Sequence, residues 1–234
     1  SDWSSDVCSS DLPGAAIGLA GISVAAVFGL VRPAPTAATA WALSGFANAV
    51  VWLIFAAYMF ASGYSKTGLG RRVALLLIKA MGHRTLGLGY AVTFADLVLA
   101  PVTPSATARA GGTVYPVIRN IPELYGSHPN DPSSKKIGAY LLYTGLAASM
   151  VTSSMFITAL APNTLAVGLI TKAIGTTIPW MLWFKGYLPV GVILLLIQPA
   201  LLYWIYPPEI KQAPEAPAWA AEELRRMGPM TRQD

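Results

Sequence analysis

Cysteine is almost missing from this chain: the single thiol, Cys8, lies in residues 1–12, a stretch that repeats Ser-Ser-Asp and shares no pattern with the rest of the chain. That stretch is acidic and lacks both a basic start and an apolar centre, so it fails as a signal peptide and reads as an adapter-like, non-native segment. Without Cys8 there is no disulfide, no thiolate nucleophile and no thiol metal ligand. Charge is also scarce, at 12% of residues. Histidine is limited to His83 and His128, which have no partner ligands at metal spacing, so both read as structural. No Gly-rich phosphate loop, Ser-His-Asp set or HExxH helix occurs, which removes the common enzyme classes and leaves an intramembrane enzyme as a weak alternative.

Apolar residues, at 54%, fill the space that charge leaves, and the class is an integral membrane protein. The net charge of +5 would suggest nucleic acid in a soluble chain. Here the basic residues sit in short loops, where they set topology, and no nucleic-acid partner is expected.

In chain order, 14–31 reads as a first span ended by Arg32-Pro-Ala-Pro, 37–44 as a short surface helix, and 47–63 as a second span with polar Asn48 near its start. Residues 70–82 carry Arg71, Arg72 and Lys79 around a short apolar core and should lie in the membrane interface. Segment 85–118 then breaks in its middle at Leu99-Ala-Pro-Val-Thr-Pro-Ser105-Ala-Thr107. Pro101 and Pro104 lack amide donors, so a first arm must end near them and leave carbonyl oxygens free. Ser105 caps a second arm whose first amides, around Ala106 and Thr107, favour an anion. Lipid tolerates such backbone only where it is buried in protein or lines a wet cavity, so a re-entrant helical hairpin is expected. A Pro-kinked span with its hydroxyls bonded back to the helix is the competing reading, and spacing leaves both open. Gly111 and Gly112 should let another helix pack close.

After a polar loop at 119–136, the apolar run 137–160 is polar at Thr152, Ser153 and Ser154, stops at Ala161-Pro162-Asn163 and resumes to 174, as a second discontinuous helix would. Trp180, Trp183 and Tyr187 read as an interfacial belt before a last span at 188–205, and 206–234 as a soluble, partly helical tail. Within the hairpin, Asp96 and Arg109 each need a partner at membrane depth. Spacing does not promise that they meet, and the arginine is either neutralised structurally or adds positive potential near an anion, with a proton relay at Asp96 as the parallel reading. Of the 16 Lys and Arg, twelve fall on the side of the hairpin opening and tail, three (Arg32, Lys172, Lys185) on the other, and Arg109 stays within the hairpin. The positive-inside rule then puts the opening and the tail in the cytoplasm.

The runs Ala42-Leu-Ser-Gly-Phe-Ala-Asn48, Lys66-Thr-Gly-Leu-Gly70, Leu86-Gly-Leu-Gly-Tyr90 and Pro104-Ser-Ala-Thr-Ala-Arg-Ala-Gly-Gly112, then Asp131-Pro-Ser-Ser134, Thr152-Ser-Ser-Met-Phe156, Ala161-Pro-Asn163 and Tyr206-Pro-Pro-Glu-Ile210, resemble the divalent anion:sodium symporter family. The branch with citrate/succinate and tartrate/succinate exchangers and 2-oxoglutarate/malate translocators is most similar. The resemblance implies an all-α polytopic fold, half of an inverted-repeat transporter, with scaffold-type spans and an interfacial helix at 13–82, a transport-type half domain at 83–175, an interfacial segment and last span at 176–205, and a cytoplasmic linker at 206–234. It implies secondary transport of di- or tricarboxylates across a bacterial-type inner membrane by alternating access, as exchange or with Na+ as coupling ion, and no other cofactor. A non-transporting membrane scaffold or accessory protein is the competing class.

The family's Ser-Asn-Thr tip aligns with Ser105, Ala106 and Thr107 as substrate residues, and Ser105, Thr152, Ser153 and Ser154 fall at its sodium site, with Pro162-Asn163 at its helix break. Alanine at 106 departs from the pattern and removes a side-chain carbonyl and amide. That favours exchange over sodium coupling. The resemblance further implies a carboxy-terminal half as partner, the lipid bilayer around both, and a homodimer when full-length, to which 14–31, 47–63 and 188–205 contribute.

Overall fold

The computed structural model describes residues 14–48 and 67–228 with isolated positions between. The adapter-like segment and most of the expected span at 47–63 lie outside the described residues. Among those described, every element is helical, apart from an isolated bridge between Arg84 and Gln212. The chain divides into two units, Ser1–Leu53 and Ile54–Asp234.

In the first unit, α1 (Gly14–Val27) packs against α2 (Pro35–Leu43), which starts with Pro35 in its first turn, where a missing N–H costs nothing. α1 stops short of Val31 because the chain turns at Gly29, whose φ of 62° suits glycine alone.

The second unit is built on α3 (Leu69–Met81), α4 (Thr85–Leu99), α5 (Ala106–Arg109), a π turn (Ala110–Val114), α6 (Tyr115–Ile118), α7 (Asn120–Leu124), α8 (Gly138–Met155), α9 (Ala161–Ile174), α10 (Trp180–Ile205) and α11 (Glu215–Arg226). On α3 the buried residues Gly70, Ala74, Leu75 and Ile78 form one stripe, as helical periodicity dictates. α4 and α11 cover it, in a core that joins Leu75 and Ile78 to Leu88, Ala91, Ala213, Ala216 and Ala220. The helical tail is therefore docked on the body. An Arg71–Glu223 ion pair at 2.5 Å and a bond from Arg72 Nη1 to Gly228 O at 2.8 Å hold it.

Before α11 the chain forms a strap. Lys211 O accepts from Thr85 N and His83 O accepts from Ala213 N, while Glu209 and Ile210 donate to the carbonyls of Lys135 and Lys136. One extended segment thus ties the start of α4 to the turn before α8. The 119–136 loop is likewise less solvated than expected, since Ile121 is fully buried and Ser127 Oγ accepts from Gly138 N while donating to Ser133 O. At its exposed end, hydrogen bonds from Ser133 hold the Asp131 carboxyl below its ordinary range.

Close approach explains the glycines of α4. A Cβ at Gly87 would sit 2.2 Å from Met81 O, and one at Gly89 would sit 2.0 Å from the Tyr140 hydroxyl. That hydroxyl donates to Pro199 O at 3.2 Å and so links α8 to α10. α10 is one continuous helix over 26 residues despite Pro189 and Pro199, about 39 Å at 1.5 Å per residue. The expected interfacial segment and last span thus belong to one helix, which begins at Trp180. Among the described residues, α10 is the helix long and apolar enough to cross a membrane by length and composition.

Candidate functional site: two facing helix breaks

α4 ends at Leu99 with Ala100 as its cap, and no helix resumes until Ala106. Pro101 and Pro104 cannot supply the amides that would continue the ladder. Ser105 takes extended backbone (φ −139°, ψ 117°), and its Oγ accepts from Ala108 N at 3.2 Å, an N-cap on the second arm. Helical backbone then runs from 106 to 118, widened by the π turn at Ala110–Val114. Val92, Leu99, Val114 and Ile118 form one buried cluster that holds the arms side by side. Gly111 and Gly112 do not mediate close packing here, since a Cβ at either would meet no atom within 4 Å.

A second break faces the first. α8 stops at Met155, Phe156 and Leu160 are extended, and a single 3-10 turn (Ile157–Ala159) lies between them. The break precedes the expected Ala161-Pro162-Asn163. Pro162 stands in the first turn of α9, where proline is tolerated, so it opens the second helix rather than closing the first. Asn163 serves the break from beyond it: its Nδ2 donates to Ser153 O at 2.7 Å and to Phe156 O at 3.1 Å. Trp183 Nε1 donates to Ser154 O at 2.9 Å, so side chains satisfy carbonyls that the helix end leaves bare. Phe156 stacks on Trp180 and Phe184. Trp180 and Trp183 thus buttress the break.

Direct bonds join the two breaks. Thr158 Oγ1 donates to Pro101 O at 2.8 Å. Arg109, fully buried, donates from Nε to Asp96 Oδ1 at 2.9 Å, from Nη1 to Thr103 O at 3.3 Å and Ala159 O at 3.4 Å, and from Nη2 to Thr152 Oγ1 at 3.2 Å and Ser153 Oγ at 2.8 Å. Thr152 Oγ1 also donates to the second oxygen of Asp96. Asp96 and Arg109 thus neutralise each other inside the protein, as ionisable groups at such depth require.

Within the break, the carbonyls of Pro101 and Thr103 are taken by Thr158 and Arg109. Ser105, Ala106 and Thr107 gather at the first break, with Ser105 buried and Thr107 exposed. Thr152 and Ser153 reach the hairpin through Arg109, and their hydroxyls face its guanidinium. The Ser154 hydroxyl bonds back to Met150 O at 3.2 Å. Sequence reasoning missed Thr103, Thr158, Ala159 and Trp183, which contribute a carbonyl, a hydroxyl or an indole N–H whose use depends on what folding brings near. Among the described residues no group of three or more acidic, His or Cys side chains could hold a metal ion.

Interrupted helices whose irregular backbone meets within an apolar helical body are the arrangement that membrane transporters use. Comparison with known proteins supplies the family: the model of the sodium:sulfate symporter transmembrane region matches residues 6–234, and the chain belongs to this family. The L-tartrate/succinate antiporter of Escherichia coli (strain K12) is 51% identical over 231 residues, covering 94% of this chain and 47% of the antiporter. Antiporters of the same name from Shigella flexneri and Shigella boydii serotype 4 (strain Sb227) are 51% and 50% identical over the same span. The chain spans about half the length of the curated relatives it matches.

Proposed function

We propose that this chain is the amino-terminal half of an inner-membrane transporter that exchanges di- or tricarboxylates by alternating access, and that it is not an enzyme. The observation that carries this reading is the Ser105-capped second arm, whose first amides open beside a second helix break. Amides at the start of a helix have no intrahelical acceptor and carry the positive end of the dipole, so a carboxylate suits them. Ser105, Ala106 and Thr107 then form one end of the substrate site, and the carboxy-terminal half supplies the other. A hairpin that re-enters from the cytoplasmic side, with the tail on that side, accords with the distribution of basic residues. The full-length protein is a homodimer in this reading.

Exchange is favoured over sodium-coupled uptake on two grounds. Ala106 offers no side-chain carbonyl, and the hydroxyls of Thr152 and Ser153 are already engaged by Arg109. The names of the relatives, tartrate/succinate antiporters, point to the same mode and substrate class. The test is uptake of labelled dicarboxylates by full-length protein in vesicles preloaded with succinate, with and without a sodium gradient. Thr107→Ala should weaken exchange, and unchanged uptake of every dicarboxylate would overturn the proposed tip. A complete lack of flux in the unmodified protein would favour a scaffold role instead.

A further inference from the structure

Arginine near an anion site invites the reading that it binds the anion. The geometry points to a different role: we infer that Arg109 is a positioning residue, which holds the hairpin break and the 156–160 break at a fixed spacing and does not touch the transported solute. This inference rests on the transporter reading above.

The donor count is the first argument. A guanidinium has five N–H groups, and all five meet acceptors here, on Asp96, Thr103, Ala159, Thr152 and Ser153. Those acceptors come from the first arm, the first break, the second break and the end of α8. No donor is left for a carboxylate unless a bond inside the protein is broken. Charge is the second argument, because Asp96 already neutralises the side chain at 2.9 Å with both partners sealed from solvent. Shape is the third. A planar fork fixes the directions of its bonds, so five acceptors on four segments are held in mutual register, which a point charge with three donors cannot do. The separate Thr158 to Pro101 bond shows the same pair of breaks meeting a second time. Carboxylate recognition is thus left to amides and hydroxyls at Ser105–Thr107, and Arg109 acts on it by fixing where those groups stand.

The experiment uses the full-length transporter with its other cysteines replaced and nitroxide labels at Val102→Cys and Leu165→Cys, both exposed, the first within the hairpin break and the second just after the other break. Arg109→Lys keeps the charge and loses the fork. It should broaden the distance distribution between the labels and raise KM for tartrate and succinate by the same factor, about tenfold or more, since three donors replace five and at least two bonds are lost. Ser153→Ala, which removes a single acceptor, should move both readouts the same way by less and covers the case in which the lysine variant does not fold. An unbroadened distribution in Arg109→Lys would overturn the inference. So would a change in the ratio of the two KM values, because the side chain would then contact the solute. If the unmodified protein carries no carboxylate the transporter reading fails, while the label distances still decide whether Arg109 clamps the breaks.

Discussion

Asp96 and Arg109 show how far single residues were legible. Their identity and depth announced that each needs a partner, since an unpaired charge in an apolar interior is costly. What local spacing left open was that they partner each other across the hairpin, because pairing depends on the register of two arms joined by an irregular turn. Removing one member strands the other: Arg109→Leu should lower unfolding stability in detergent by about 3–5 kcal/mol, and Asp96→Leu by a similar amount. Double replacement with apolar residues of similar volume should recover much of that loss, which a denaturant series on the three variants would check. Asn163 belongs to the same scale. Asn163→Ala leaves the carbonyls of Ser153 and Phe156 without their side-chain donor and should cost about 1–3 kcal/mol in the same assay.

At the scale of elements, the hairpin break was readable and the second break was misplaced. Two prolines and a capping serine sit inside the first, and their effects act on the adjacent turn. The second contains no proline or glycine between Phe156 and Leu160, so nothing local announces it. It is held by Trp183, Trp180 and Asn163 from outside. The α4–α8 contact makes a sharper prediction. Gly89→Ala would drive a methyl group into the Tyr140 hydroxyl and should destabilise by about 1–3 kcal/mol. Tyr140→Phe removes that oxygen, so the double variant should be more stable than Gly89→Ala alone, as thermal unfolding would report. α3 teaches the opposite lesson. Its amphipathic pattern was legible, but pattern alone does not say whether lipid or protein covers the apolar face. Deleting 215–228 should uncover Leu75 and Ile78, and a cysteine placed at Ala74 should then react with a soluble maleimide that leaves it untouched in the intact chain.

At the scale of the whole molecule, the chain belongs to the sodium:sulfate symporter family and spans about half the length of the relatives it matches. In the proposed reading the substrate site needs both halves, so the 234-residue chain alone should give no carboxylate flux in vesicles, and flux should return when a second half is supplied. Exchange by the isolated chain would overturn the two-half site.

Membrane class, the helical fold and the first break followed from residues alone, because hydropathy, missing proline amides and serine capping act within a turn or two of the residue that carries them. The Asp96–Arg109 pair, the place of the second break, the docked tail and the work of Trp180 and Trp183 were decided only in three dimensions. Each depends on which donor folding brings to which acceptor, and no stretch of neighbouring residues encodes that meeting.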